Sequence, residues 1–165
     1  MTIHEGDQLT HVDAAGQVHM VDVSQKSVSS RRALAESWVT MSERAFAALV
    51  DGRTLKGDVM ATVRIGALMA LKQTSNLIPL CHPLPVEWAR CEITLHAPDR
   101  VRILVEATTS GKTGVEMEAL TGASTGSLVL YDMLKALDKA MVIGPTRLLR
   151  KEGGKSGVYQ RGEDA

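Results

Sequence analysis

Four stretches of the 165-residue chain combine side chains that move protons with side chains that hold anions. The first runs Leu77-Ile78-Pro79-Leu80-Cys81-His82-Pro83-Leu84-Pro85. Its prolines forbid regular helix or a central strand, so it is a stiff loop that fixes the backbone around His82. A fixed neutral imidazole can donate or accept near pH 7; a satisfied turn histidine is an equally good account. A zinc site from Cys81, His82 and Cys91 is weaker. The spacing fits no common zinc pattern, and Cys91 falls on the core side of a strand. The second stretch, Gly111 to Glu118, is a loop feeding a helix N-terminus with two carboxylates. Acids in a first turn are ordinary dipole partners; Glu116 and Glu118 are also candidates for acid–base work. Two positions apart, they point to different sides, so at most one should face a given pocket directly.

The third stretch is Tyr131-Asp132-Met133-Leu134-Lys135, in which Asp132 and Lys135 can pair across one helical turn. A solvated ion pair is the plain account; a carboxylate and an ammonium that tune each other is the chemical one. The fourth comprises Lys56-Gly57-Asp58 and the segment from Lys151 to Gly157. Backbone amides with a lysine nearby suit phosphate, although 151–157 also reads as a solvated tail. Neither Gly154-Lys155-Ser156 nor Gly111-Lys112-Thr113 completes a P-loop, because Leu149 and Glu106 stand where the first glycine is required.

These groups need elements to position them. Residues 1 to about 20 lack a period and read as an arm. Arg32 to Met41 alternates, with Ala33, Ala35, Ser37 and Val39 on one face of a strand. Ser42 caps a helix over Glu43–Val50 that Asp51-Gly52 stops. A second helix spans Asp58–Lys72 and ends at Thr74-Ser75-Asn76. Val86–Leu95 and Val101–Thr109 form a hairpin turned at Ala97–Arg100. A long helix is expected from about Val115 to Met141, broken by Gly144-Pro145. Within it, Gly122 and Gly126 cost about 1 kcal/mol each against alanine and either permit close packing or mark a weaker helix. Thr146–Lys151 is a last short strand, and Glu152–Gly157 is flexible. This order is the α+β, ferredoxin-like split βαβ plan: an antiparallel sheet with helices on one face. The open, half-apolar face calls for a partner, so the chain is expected to be oligomeric. The expected organisation is an N-terminal arm at 1–18, one domain at 19–158 and a flexible tail at 159–165.

Composition narrows the function. Hydrophobic residues are 44% and aromatics 3%, so the core is aliphatic. Lysine plus arginine equal aspartate plus glutamate at 19 each. That balance argues against a nucleic-acid surface, and the hairpin offers only Trp88 for base stacking. Two cysteines, no apolar leader and no run of membrane-spanning length point to a soluble protein of a reducing, cytoplasmic compartment.

Taken together and in order, these segments resemble the molybdenum-cofactor biosynthesis protein C family. The likeness rests on Lys56-Gly57-Asp58-Val59, the Leu77–Leu84 stretch, Lys112–Leu120, Tyr131-Asp132-Met133 with Lys135, the Gly-Gly-Lys-Ser-Gly tail and the opening His19-Met20-Val21-Asp22-Val23. It covers roughly residues 9 to 158. The resemblance implies a ferredoxin-like homohexamer, a trimer of dimers, with active sites at subunit interfaces. It implies a lyase reaction that converts 3′,8-cyclo-7,8-dihydroguanosine triphosphate to cyclic pyranopterin monophosphate and diphosphate. By the same resemblance Asp132 is the catalytic acid–base residue, with Lys56 and Lys135 as partners. Leu80, Cys81, His82, Met117 and Glu118 line the substrate, Glu116 supports them, and Arg31 and Lys151 meet phosphate. No cofactor is required, no metal cage is evident, and Mg²⁺ has a role only through the substrate phosphates. A ligand-binding regulatory module on the same fold is the main rival, and would need a pocket but no Asp–Lys–His set.

Overall fold

A computed structural model describes residues 15–53 and 56–162. Most of the expected arm lies outside them. Strand β1 (Ser29–Thr40) leads to α1 (Glu43–Val50), α2 (Val59–Leu71) and a single turn, α3 (Thr74–Leu77). The hairpin β2 (Trp88–His96) and β3 (Arg100–Gly111) follows, then α4 (Glu116–Leu134), β4 (Val142–Glu152) and β5 (Tyr159–Gln160). The sheet order is β2-β3-β1-β4-β5. The strand pairings among the described residues, β1 with β3 and β4, β2 with β3, and β4 with β5, are antiparallel. This is the expected α+β split βαβ architecture with one strand added. Tyr159 and Gln160 pair with Lys151 and Arg150, in the stretch expected to be a free tail.

Alternation along β1 works as the sequence requires. Ala33, Ala35, Ser37 and Val39 are buried beneath the helices, with Val101, Ile103, Val105 and Ala107 of β3 beside them. Helix α4 lies across β1, β3 and β4, while α2 packs on α4 and reaches β2. The glycines permit this closeness. A Cβ on Gly122 would stand 3.0 Å from Val105 and 3.2 Å from the Ala67 carbonyl; on Gly126, 3.0 Å from Ile103; and on Gly66, 2.8 Å from Val129. Close packing, rather than a weak helix, accounts for Gly122 and Gly126. Beneath α4, the Ser127 hydroxyl donates to Ser37 at 2.7 Å, and Ser37 bonds Thr146 at 2.7 Å. This chain of hydroxyls satisfies Ser127, a fully buried polar residue of α4.

Two boundaries differ from expectation. Helix α4 stops at Leu134, not near Met141. The Asp138 carboxylate accepts from the amides of Ala140 and Ser42, at 2.8 and 2.7 Å. A short polar side chain bonding local backbone competes with helical hydrogen bonding. Gly144-Pro145 is not a break between elements, because it lies inside β4. The register steps from Ser37↔Thr146 to Val39↔Ile143, so the pair occupies a bulge opposite Trp38. A bulge is where a strand tolerates proline.

The sheet face away from the helices is more ionic than the half-apolar surface expected. Glu36, 2% exposed, accepts from Arg102 Nε at 2.5 Å and Arg147 Nε at 2.7 Å. Arg100 and Arg102 stand over the Trp38 ring at 5.4 and 5.9 Å.

Candidate active site

Two sets of chemical groups sit at opposite ends of α4. At its C-terminal end, Asp132 Oδ2 meets Lys56 Nζ at 2.9 Å, and Asp132 Oδ1 meets Lys135 Nζ at 2.7 Å. Lys56 also donates to the Asp132 carbonyl at 2.7 Å. Lys135 arrives by helical spacing, one turn on. Lys56 arrives from 76 residues upstream because α2 packs on α4, and Asp58, two residues past Lys56, caps α2 through the Ala61 amide at 2.9 Å. The two lysines hold the Asp132 carboxyl at about 2, well below the usual carboxylate range. The hydrogen bond that Lys135 donates to Asp132 in turn raises the Lys135 ammonium above its ordinary value. The cluster is open to water, with the Asp132 side chain 55% exposed. An ionised carboxylate this weakly basic makes a poor proton acceptor until water is removed from it.

At the N-terminal end lies a cleft of about 270 Å³. Leu80, Cys81 and His82 of the proline loop form one wall, and Glu116, Met117 and Glu118 another. Val21, Val23 and Lys26 close it from the N-terminal side. Both glutamates face this cleft, which corrects the expectation that only one would. Glu116 opens the helix, and its carboxyl folds back over Gly114, where a Cβ would collide with it. Glu118 is 4% exposed. Burial, with a contribution from the Glu116 charge, pushes its carboxyl above the ordinary value, so it is suited to carry a proton. Burial also raises the Cys81 thiol, with help from Glu118. Cys91 lies in the core, its thiol pushed up to about 11, far from the thiolate a metal needs. Among the described residues, no three His, Cys, Asp or Glu side chains gather into a metal-holding group.

A second cleft, about 430 Å³, adjoins the first and shares Lys26, Thr113, Gly114 and Glu116 with it. Arg31, Lys112, Lys151, Lys155 and Ser156 complete its lining. Five cations thus face one carboxylate, an arrangement suited to a polyphosphate. Arg31 Nε donates to the Gly111 carbonyl at 3.3 Å, and Lys151 bonds the Ser156 hydroxyl. The segment after β4 folds onto Arg31 because Gly153 and Gly154 take φ of +94° and +74°. A Cβ on Gly154 would overlap the Arg31 guanidinium. Gly154→Ala is therefore expected to weaken inorganic triphosphate binding about tenfold or more, the equivalent of one charge-assisted contact. Calorimetric titration of the variant checks this.

Every candidate residue therefore falls in one of two groups, and the single chain does not unite them. Glu118 and Asp132 are 14 residues apart, close to four full turns. They leave α4 on nearly the same side but about 21 Å apart along its axis. Arg31, Lys151, Leu80, Cys81, His82, Glu116, Met117 and Glu118 lie at one end; Lys56, Asp132 and Lys135 lie at the other. Sequence reading missed Lys26, an exposed lysine that composition gives no means of singling out; Lys112 and Lys155 stand in segments it weighed for phosphate but were not named as site residues.

No helix is long and apolar enough to cross a membrane among the described residues. A family model described as the MoaC family matches residues 20–154, a span that takes in the first cleft, the second except Lys155 and Ser156, and the Lys56–Asp132–Lys135 cluster. The chain belongs to the MoaC family, an enzyme family of molybdenum cofactor biosynthesis.

Proposed function

We propose that this chain is the lyase that converts (8S)-3′,8-cyclo-7,8-dihydroguanosine 5′-triphosphate to cyclic pyranopterin monophosphate and diphosphate. The observation that carries the reading is the adjoining pair of clefts. One offers His82, Glu116 and Glu118 to a purine-derived ring; the next offers five cations to a triphosphate. The reaction opens and rebuilds a ring, which requires several proton transfers. Closing the cyclic phosphate breaks the bond between the first phosphorus and its bridging oxygen. The departing diphosphate then carries a charge that Arg31, Lys151 and their neighbours are suited to stabilise. Glu118, held toward its acid form, would give protons near the ring. No step needs an organic cofactor; Mg²⁺ would assist through the substrate phosphates rather than a protein cage.

The separation of about 21 Å between the cleft and Asp132 is bridged, on this reading, by a second copy of the chain. The Lys56–Asp132–Lys135 cluster of one protomer would then complete the cleft of its partner, as expected of a dimer-based homohexamer. A partner surface over Asp132 would also exclude water and lift its carboxyl from about 2 toward a value useful for proton transfer. Such an enzyme works in the cytoplasm on a small molecule, without nucleic acid or membrane.

Incubation with enzymatically made cyclised dihydro-GTP tests the function. The expected result is diphosphate release together with a product that oxidises to a fluorescent pterin. Tight substrate binding without either product would favour a regulatory binding module and remove the catalytic assignment.

A further inference from the structure

The sheet face away from the helices holds a cationic feature of its own. Two hollows of about 340 and 250 Å³ lie along β1 and share Trp38 and Arg147. Trp38 stands seven residues beyond Arg31 on that strand, about 23 Å at 3.3 Å per residue. Strand alternation also puts it on the face opposite Ser37 and Val39, which lie under the helices. Arg100, Arg102, Arg147 and Arg161 line the two hollows, against the single carboxylate of Glu36 among the described residues. All four cations are arginine and none is lysine, unlike the cleft beside Arg31.

Three of these guanidiniums are held in place. Glu36 accepts from Nε of Arg102 and of Arg147, which fixes both side chains. Arg100 is held over the Trp38 ring at 5.4 Å, and no carboxylate of the described residues pairs with it. The His96 ring braces Trp38 in turn, its centroid 4.8 Å away. Cations fixed beforehand lose little freedom when they bind an anion. The smaller hollow joins two features that one ligand would use together. Arg100 and Arg147 offer planar forks that match phosphate oxygens, and Thr40 adds a hydroxyl. Trp38 and Pro145 supply flat apolar surface, and Pro145 is there because the bulge in β4 opposite Trp38 admits it. Free phosphate would use the first feature alone; a phosphate ester of a flat apolar group would use both.

We propose that the hollow between Arg100, Arg147 and Trp38 is a second ligand site, separate from the clefts at the end of α4, and that it takes the phosphate monoester of a flat apolar group. The site is independent of the lyase reading and stands or falls without it.

The test uses the full chain and the emission of Trp38. The sequence holds two tryptophans, so Trp88→Phe leaves Trp38 as the one reporter. Trp88 is exposed, and its replacement is expected to keep the wild-type thermal midpoint. In that background phenyl phosphate should change the emission saturably, and inorganic phosphate should do so with about tenfold weaker affinity. Arg100 is exposed, so replacing it should not unfold the chain. Arg100→Ala should weaken phenyl phosphate about tenfold to a hundredfold. Arg100→Lys should recover only part, because lysine restores the charge without the fork. Lys151→Ala, which alters the cleft beside Arg31, should leave the titration unchanged. A response that survives Arg100→Ala but vanishes in Lys151→Ala would put the ester in that cleft and overturn the proposal. Equal affinity for phenyl phosphate and inorganic phosphate would overturn the assignment of a flat apolar group. No emission change at all would overturn the site itself; growing protection of Trp38 from iodide as protein concentration rises would then show a second copy covering this face.

Discussion

Replacing Asp132 by asparagine is expected to cut turnover of cyclised dihydro-GTP by about 10²–10⁴-fold, the range for loss of a positioned acid–base group. Lys56→Ala is expected to do the same. Neither change should move the thermal midpoint appreciably, because all three side chains of the cluster face water. Exposed ion pairs of this kind contribute little to folding, so their convergence from positions 56, 132 and 135 has no structural purpose to explain it. The pairing of normal stability with lost turnover, read by calorimetry and by diphosphate release, is the signature to look for. Turnover near the wild-type rate in both variants would remove Asp132 and Lys56 from the site.

The second large effect concerns stability. Glu36→Gln should destabilise the fold by about 3 kcal/mol, the low end of the range for breaking a buried pair, since Arg102 and Arg147 keep part of their contact with water. For a chain of this size that is roughly 6–12 °C in thermal midpoint. The same contact sets a pH dependence. Burial pushes the Glu36 carboxyl up, but hydrogen bonds from Arg147, Trp38 and Arg102 outweigh it and hold the group below its ordinary value of 4.5. A lowered carboxyl stabilises the fold above the unfolded value, and that stabilisation is lost as pH falls through the folded one. The wild type should therefore lose stability as pH drops below about 4.5, and Glu36→Gln should lose less over the same interval. Denaturant titrations at pH 6 and pH 3.5 measure both slopes; equal slopes would show that Glu36 is not the group responsible.

Much of this architecture was legible because local signals and global fold agree. Ser42 and Asp58 both cap helices through their side chains, as their types suggest. The two-residue alternation of β1 and β3 is reproduced in which side chains are buried. Where reading failed, a tertiary contact had overruled a local pattern. The apolar spacing beyond Leu134 continues to Leu137 and Met141, but Asp138 ties that stretch to the start of α1. Proline at 145 looks like a terminator until β1 is placed opposite it with a bulge. Trp38, Glu36 and Arg147 give no hint in sequence that they converge, because their partners lie one to three strands away.

The candidate site divides in the same way. Lys135 beside Asp132 follows from helical spacing, while Lys56 came from family resemblance and was joined to them only by the packing of α2 on α4. That Glu116 shares a cleft with Glu118 depends on a side chain folding over Gly114, which spacing along a helix cannot reveal. Lys26, exposed, and Lys112, half-buried, are ordinary lysines until the segment around Ser24 is seen against the loop before α4.

The union of the two clusters across a pair of protomers is tested most directly by mixing inactive proteins. One variant carries Asp132→Asn, the other His82→Ala, and the two are unfolded together and refolded at equal amounts. In a two-fold contact each mixed pair rebuilds one intact site and one doubly defective site. Half of the pairs are mixed, so activity should return to about a quarter of the wild-type value. Activity no higher than that of either variant alone, from a sample shown to contain mixed pairs, would contradict a site shared between subunits.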